Sequence, residues 1–278
     1  RQTWAILSQS PVDVVVLDVM LPGTDGLQIL TQMRRGEHAA TPVVMAGGDK
    51  RIIVQTVTAT DTFYSPVFGT NRNEGTLFVY PLLESLNALP LTTPVYTELI
   101  AKFFGKTDVA PILAAYPPND ADNAPIVSQL VSDYLFFCAS RAMASGGGGP
   151  TYGYFFSKLT TSFNLWSLYP PQVPQCADQV CHGSELPYVF NSATDILQSF
   201  SPSEEEMSRA FGDYWGAFAR SDDPNATVEP RPAWPLYAPS KSLVVLDTPI
   251  STAVDPDHNC DLWDQVGYVL IGADDLLP

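Results

Sequence analysis

The alternation of apolar and polar positions divides the chain into stretches of different period. Residues 1–10 place Trp4, Ile6 and Leu7 at helical spacing. Val12-Asp13-Val14-Val15-Val16-Leu17 follows as a near-continuous β-branched run, the mark of a strand buried on both faces in a parallel sheet. It ends in Asp18. A turn, Leu21-Pro22-Gly23-Thr24-Asp25-Gly26, leads to Leu27, Ile29, Leu30 and Met33 at amphipathic spacing, closed by Arg34-Arg35-Gly36. Thr41-Pro42-Val43-Val44-Met45 predicts a second short strand, so this end alternates α and β.

Further on, 64–68 predicts a short strand that delivers Gly69 and Glu74, with Leu77, Phe78 and Val79 behind it as core. Residues 82–116 keep helical spacing but carry Pro90, Pro94 and Pro111, which predicts several short helices. The stretch 126–144 is the longest helical candidate, and four glycines at 146–149 make a loop before the strand-like Tyr152-Gly153-Tyr154-Phe155-Phe156. A proline-rich loop over 169–183 carries His182. Ser203 with Glu206 three residues on predicts a capped helix start, and Met207, Ala210, Phe211, Trp215 and Phe218 fall on one helix face. Residues 242–246 predict a late strand, and Trp263 is expected in a core pocket near Cys260.

At 278 residues and 45% hydrophobic content the chain has enough apolar surface for one large domain or two small ones. Thirty acidic against fourteen basic residues give a net charge of -16, a field that repels phosphate backbones and anionic membranes, so nucleic acid is not an expected partner. No apolar run approaches the roughly 20 residues needed to cross a bilayer. The start, Arg1-Gln2-Thr3-Trp4, is neither a signal peptide nor an initiator Met, and the chain is expected to be a fragment. Cys138, Cys176, Cys181 and Cys260 form an even set. With 25 prolines and the Asn225-Ala226-Thr227 sequon, which makes Asn225 a glycosylation candidate, they fit a secreted or extracytoplasmic protein. Three connectivities are open, Cys176 and Cys181 are close enough to clip a short loop, and four buried free thiols are the alternative.

Two stretches carry candidate chemistry: Gly69-Thr70-Asn71-Arg72-Asn73-Glu74-Gly75 and Cys181-His182-Gly183-Ser184-Glu185-Leu186-Pro187-Tyr188-Val189-Phe190. Each sets one titratable residue, Glu74 or His182, in a glycine-flanked turn just after an apolar run, where a sheet presents it to solvent. A carboxylate upstream of an imidazole matches the second and third members of the order Ser, Asp/Glu, His. The bland alternatives are a solvated turn carboxylate and a surface loop histidine. His38 and His258 are expected at the surface, with no metal site and no cofactor. Glu185 is read as structural, a carboxylate at a helix start.

Together with Tyr214-Trp215-Gly216-Ala217-Phe218-Ala219-Arg220, Asp223-Pro224-Asn225, Trp234-Pro235-Leu236-Tyr237 and Cys260-Asp261-Leu262-Trp263, these two stretches resemble the C-terminal half of the type-B carboxylesterases, the family that includes the cholinesterases. The resemblance implies a partial α/β-hydrolase fold, the C-terminal half of the sheet with packed helices, over 64–268. It also implies hydrolysis of a small-molecule ester, with Glu74 as the acid and His182 as the base of a Ser-Glu-His triad. Cys138 with Cys260 resembles the long-range disulfide of the cholinesterases. The nucleophile has no counterpart: no Gly-x-Ser-x-Gly occurs, and neither does the family's Gly-rich oxyanion segment. This chain alone is therefore expected to have negligible esterase activity. A non-catalytic esterase-fold binding protein is a further alternative, against which the retained Glu74 and His182 speak.

Leu17-Asp18-Val19-Met20-Leu21-Pro22-Gly23-Thr24-Asp25-Gly26 is similar to the phosphoacceptor segment of response-regulator receiver domains. That resemblance implies Asp18 as phosphoacceptor with Mg²⁺ in attendance. The receiver's acidic pair would lie before Arg1, Gly47 stands at its hydroxyl position, and its Lys has no counterpart. The tail Gly272-Ala273-Asp274-Asp275-Leu276-Leu277-Pro278 resembles the receiver segment just before that Lys. The expected organisation is a small receiver-like α/β fragment at 1–49, a junction at 50–63, the carboxylesterase region at 64–268 and a receiver-like tail at 269–278. Such an arrangement is a natural insertion, a join or a chimera.

Overall fold

The computed structural model of the protein describes residues 15–18, 43–46, 67–145, 150–168, 172–255 and 258–268. They belong to two compact units, Arg1–Tyr64 with Asp213–Arg231, and Ser65–Gly212 with Pro232–Pro278. His38, the helices expected at 1–10 and 27–33, the junction at 50–63, the glycine loop at 146–149 and the tail at 269–278 lie outside the described residues.

In the first unit β1 (Val15–Asp18) and β2 (Val43–Ala46) pair in parallel, from Val15 opposite Val43 to Asp18 opposite Ala46. Both are predicted strands, and Asp18 closes the first as expected. Arg231 grips Asp213 through Nε at 2.7 Å and Nη2 at 2.6 Å, closing the excursion that carries Asn225.

The larger unit holds a sheet in the order β3 (Val67–Asn71), β4 (Tyr152–Phe156), β5 (Ser242–Leu246) and β6 (Ser251–Val254). The first three strands are parallel and β6 is antiparallel to β5. Parallel neighbours need long crossovers. The first supplies α1 (Thr76–Ser85), α2 (Thr93–Phe104), α3 (Val109–Ala115), α4 (Ala124–Val131), a π-helical turn over Ser132–Phe137, and α5 (Cys138–Ser145). The second supplies α6 (Leu165–Leu168), α7 (Leu186–Val189) and α8 (Pro202–Ser221), whose residues from Asp213 on belong to the first unit, and α9 (Cys260–Val266) follows the sheet. This is the mixed α/β architecture expected.

Local chemistry explains the boundaries. Pro94 and Pro111 sit in the first turns of α2 and α3, where a missing N–H costs nothing. The strand expected at 64–68 runs instead over Val67–Asn71. Gly69, Thr70 and Asn71 read as a turn, but pairing from Val67 opposite Tyr152 to Asn71 opposite Phe156 keeps them extended. Gly69 is required there, because a Cβ would lie 2.2 Å from the Tyr154 ring that crosses it. The start of α8 also differs from expectation. Pro202 is its first residue, the carboxylate of Glu204 accepts the Ser201 N–H at 2.7 Å, and Glu206 pairs with Arg209 at 2.7 Å instead.

The core of this unit gathers Phe68, Leu91, Tyr96, Ile100, Phe137 and Trp263, all buried. Cys138 and Cys260 are bonded within it, as the family resemblance implied, and Cys176 is bonded to Cys181. No free cysteine remains, so the free-thiol alternative falls. Leu77 and Val79 are buried as predicted, whereas Phe78 is 45% exposed and is not core.

Candidate active site

Glu74 lies on the turn that joins β3 to α1. The turn folds tightly because Gly75 follows: its N–H donates to Ser132 Oγ at 2.9 Å, and a Cβ at Gly75 would meet the Ser128 carbonyl oxygen at 2.1 Å. The Glu74 side chain is buried, 5% exposed, yet both oxygens are engaged. Oε1 accepts the Asn71 N–H at 2.6 Å, and Oε2 lies 2.7 Å from His182 Nδ1.

His182 reaches that carboxylate from the loop between α6 and α7. Gly183 follows it with φ +77°, a left-handed conformation that favours glycine, and a Cβ there would lie 3.3 Å from the Trp166 ring. The imidazole packs against the mutually stacked rings of Phe78 and Phe136, each centroid 5.1 Å away, and its side chain is 41% exposed. A carboxylate on Nδ1 selects the tautomer with the proton on that nitrogen, which makes Nε2 the basic one. Such a pair can accept and return a proton at Nε2 while Glu74 stabilises the imidazolium.

The sequence reading missed several neighbours. Asn71 binds both carboxylates of the site, its N–H to Glu74 and its Nδ2 to Glu185 Oε2. Glu185 stands at the N-cap of α7, the helix start expected of it, but its side chain makes no cap there and accepts from Asn71 instead. Loss of solvation, and then the charge of Glu74, push its carboxyl up to about 7, against the opposing effects of the Asn71 hydrogen bond, backbone donation and His182. Burial, followed by the charges of Glu185 and Glu74, raises the Tyr154 hydroxyl well above its ordinary range. Only the three-residue interval between His182 and Glu185, one helical turn, could have hinted at this cluster.

His258 is also corrected. Its side chain is 11% exposed, Nδ1 lies 2.7 Å from Asp133 Oδ1, and its ring stands 4.1 Å from that of Phe137. Asp133 further accepts from Tyr116 Oη at 2.8 Å and from Gln129 Nε2 at 2.7 Å. The loop around His258 is drawn inward by the neighbouring Cys260 bridge, which nothing in the local pattern announces. Asn225 is exposed, and its N–H and Nδ2 both donate to Asp223 Oδ1, at 2.9 and 3.0 Å. Among the described residues no group of three or more His, Cys, Asp or Glu is arranged to hold a metal ion, and no helix is long and apolar enough to cross a membrane.

Comparison with known proteins bears on both ends of the chain. The response regulator receiver domain matches residues 1–61, and the carboxylesterase family matches residues 51–263. The crystal protein of Dictyostelium discoideum is 27% identical over 214 residues, covering 73% of this chain and 37% of that protein. Acetylcholinesterase of Gallus gallus is 30% identical over 207 residues, 70% of this chain and 24% of the enzyme. Cocaine esterase of Homo sapiens is 30% identical over 159 residues, 56% of this chain and 25% of the enzyme. The chain thus spans from 24% to 37% of the length of these relatives. Because the carboxylesterase match extends over well more than half of its residues, the chain belongs to the carboxylesterase family.

Proposed function

We propose that this chain carries the acid and base of a carboxylic ester hydrolase acting on small-molecule esters. The observation that carries the reading is the 2.7 Å contact between Glu74 and His182, each at the end of a loop and with the imidazole partly open to solvent. In this mechanism His182 Nε2 takes the proton of a serine hydroxyl as the oxygen attacks the ester carbonyl, then returns it to the departing alcohol. Glu74 keeps the imidazole in the required tautomer and offsets the positive charge it acquires. The serine and the donors for the oxyanion come from a segment other than these 278 residues, which contain no Gly-x-Ser-x-Gly. Two disulfides and the esterase relatives support an extracytoplasmic setting.

The test is complementation. Co-expressed with the nucleophile-bearing N-terminal segment of a family relative, the chain is expected to yield p-nitrophenyl butyrate hydrolysis that His182→Ala abolishes. Activity indifferent to that substitution would overturn the proposal.

A second activity is favoured at the other end by the receiver match over 1–61 and by the place of Asp18 at the end of a parallel strand. Asp18 would accept a phosphoryl group there, with Mg²⁺ screening the transferred oxygens. Incubation with acetyl phosphate and Mg²⁺ should give an adduct at Asp18 that Asp18→Asn lacks. No adduct removes this reading.

A further inference from the structure

The Glu74–His182 contact is backed by a small covalent ring. Cys176 and Cys181, five positions apart, are bonded and buried, and His182 is the next residue along. Three hydrogen bonds join this ring to the residues on either side of Glu74. Asn73 N–H donates to the Val180 carbonyl at 2.9 Å, Val180 N–H donates to Asn73 Oδ1 at 3.1 Å, and Thr76 Oγ1 donates to Gln179 Oε1 at 2.6 Å. Asn73 and Cys181 also form a parallel backbone bridge. Beneath them Leu77 packs with Val173, Cys176 and Cys181 in an apolar cluster separate from the main core.

We propose that the Cys176–Cys181 ring is a positioning element for the Glu74–His182 pair, fixing the imidazole on the carboxylate by presenting Val180 and Gln179 to Asn73 and Thr76. This rests on the relay reading and says what aligns it. A ring this short leaves residues 177–180 few conformations, so the Val180 N–H and C=O point one way before they meet Asn73. Without the bond, His182 would hang from a loop whose conformational freedom competes with its contacts to Glu74, Phe78 and Phe136. The same shortness makes the ring a minor contributor to global stability, because loop-closure entropy grows with loop length. Its removal should loosen the pair more than it loosens the fold.

The readout is the imidazole Nδ1–H resonance of His182, observed by NMR and assigned by its loss in Glu74→Gln. In the double variant Cys176→Ser/Cys181→Ser this proton is expected to vanish or to exchange with water at least about tenfold faster. Amides of β3, β4 and β5 should keep their protection. Asn73→Ala, which leaves the disulfide intact but removes the acceptor for Val180 N–H, should speed the same exchange by a smaller factor. It serves as the deciding variant if the double variant does not fold. Unchanged imidazole exchange in either folded variant overturns the proposal, as does acceleration matched by equal loss of sheet protection, which marks a merely structural ring. If the unaltered protein shows no Glu74-dependent resonance, the relay reading itself fails and the proposal goes with it.

Discussion

Asn73 and Cys181 pair backbone to backbone across two loops, and the next residue on each side belongs to the acid–imidazole contact. The distance between Glu74 and His182 is therefore inherited from main-chain pairing rather than from two side chains finding one another. A pair built this way is ordered by the main chain, so less side-chain ordering entropy opposes the contact.

The chain alone should hydrolyse p-nitrophenyl butyrate no faster than a buffer blank, because an acid and a base without a nucleophile have nothing to activate. Turnover by the purified chain that His182→Ala removes would show a hydroxyl that the sequence does not reveal. In the complemented enzyme Glu74→Gln should lower kcat by roughly 10⁴-fold, the scale of losing the orienting carboxylate in a serine hydrolase.

Glu185 should make stability fall as pH rises. Its carboxyl is held up to about 7 in the folded chain, against about 4.3 for an unperturbed Glu. The folded state therefore keeps a proton that the unfolded state has released, and stability declines from pH about 4.3 until about 7. Urea midpoints across that interval should drop for the unaltered protein and stay flatter for Glu185→Gln. Parallel curves would contradict the assignment.

Glu204 should act in the opposite direction. Burial on its own would raise its carboxyl, but donation from Ser162, Ser201 and Thr161 overcomes that and holds it at about 2. It accepts from Thr161 N–H at 2.6 Å, Ser162 N–H at 3.2 Å and Ser201 N–H at 2.7 Å, pinning the loop before α6 to the start of α8. Its folded value lies below the unfolded one, so its stabilisation is complete above pH about 4.3 and fades as pH falls toward 2. Glu204→Ala should cost about 3 kcal/mol at neutral pH, read from urea unfolding, since it leaves three backbone donors without their acceptor.

The two disulfides should separate by size. Cys138 and Cys260 are 122 positions apart, and chain entropy gives such a ring roughly 5 kcal/mol, against roughly 2 kcal/mol for the five-position ring at Cys176. Thermal unfolding of Cys138→Ala/Cys260→Ala should show much the larger fall in Tm. Equal falls would mean that strain or residual structure in the unfolded chain sets both.

Much of the fold was legible because its signals are local. The β-branched run ending at Asp18, the strand at 152–156 and the prolines opening α2 and α3 follow from periodicity and from the missing proline N–H. Glu74 and His182 were legible as loop residues, and the order of carboxylate before imidazole, together with the family resemblance, connected them. What escaped depends on distant partners. β3 extends through Gly69 and Asn71 because β4 lies beside it, and Phe78 is turned outward to meet an imidazole 104 positions further on. His258 is drawn onto Asp133 by a bridge that closes a long loop. Glu206 has the spacing for a cap, yet Glu204 is the residue that meets Ser201, because Pro202 opens the helix earlier than Ser203 suggested.

The most direct measurement is a proton NMR spectrum of the intact chain beside its Glu74→Gln and His182→Asn variants. A slowly exchanging downfield imidazole signal that disappears in both is the expected result, because an N–H donating to a buried carboxylate is deshielded and protected. A spectrum without that signal, or one in which Glu74→Gln leaves it in place, would contradict the account.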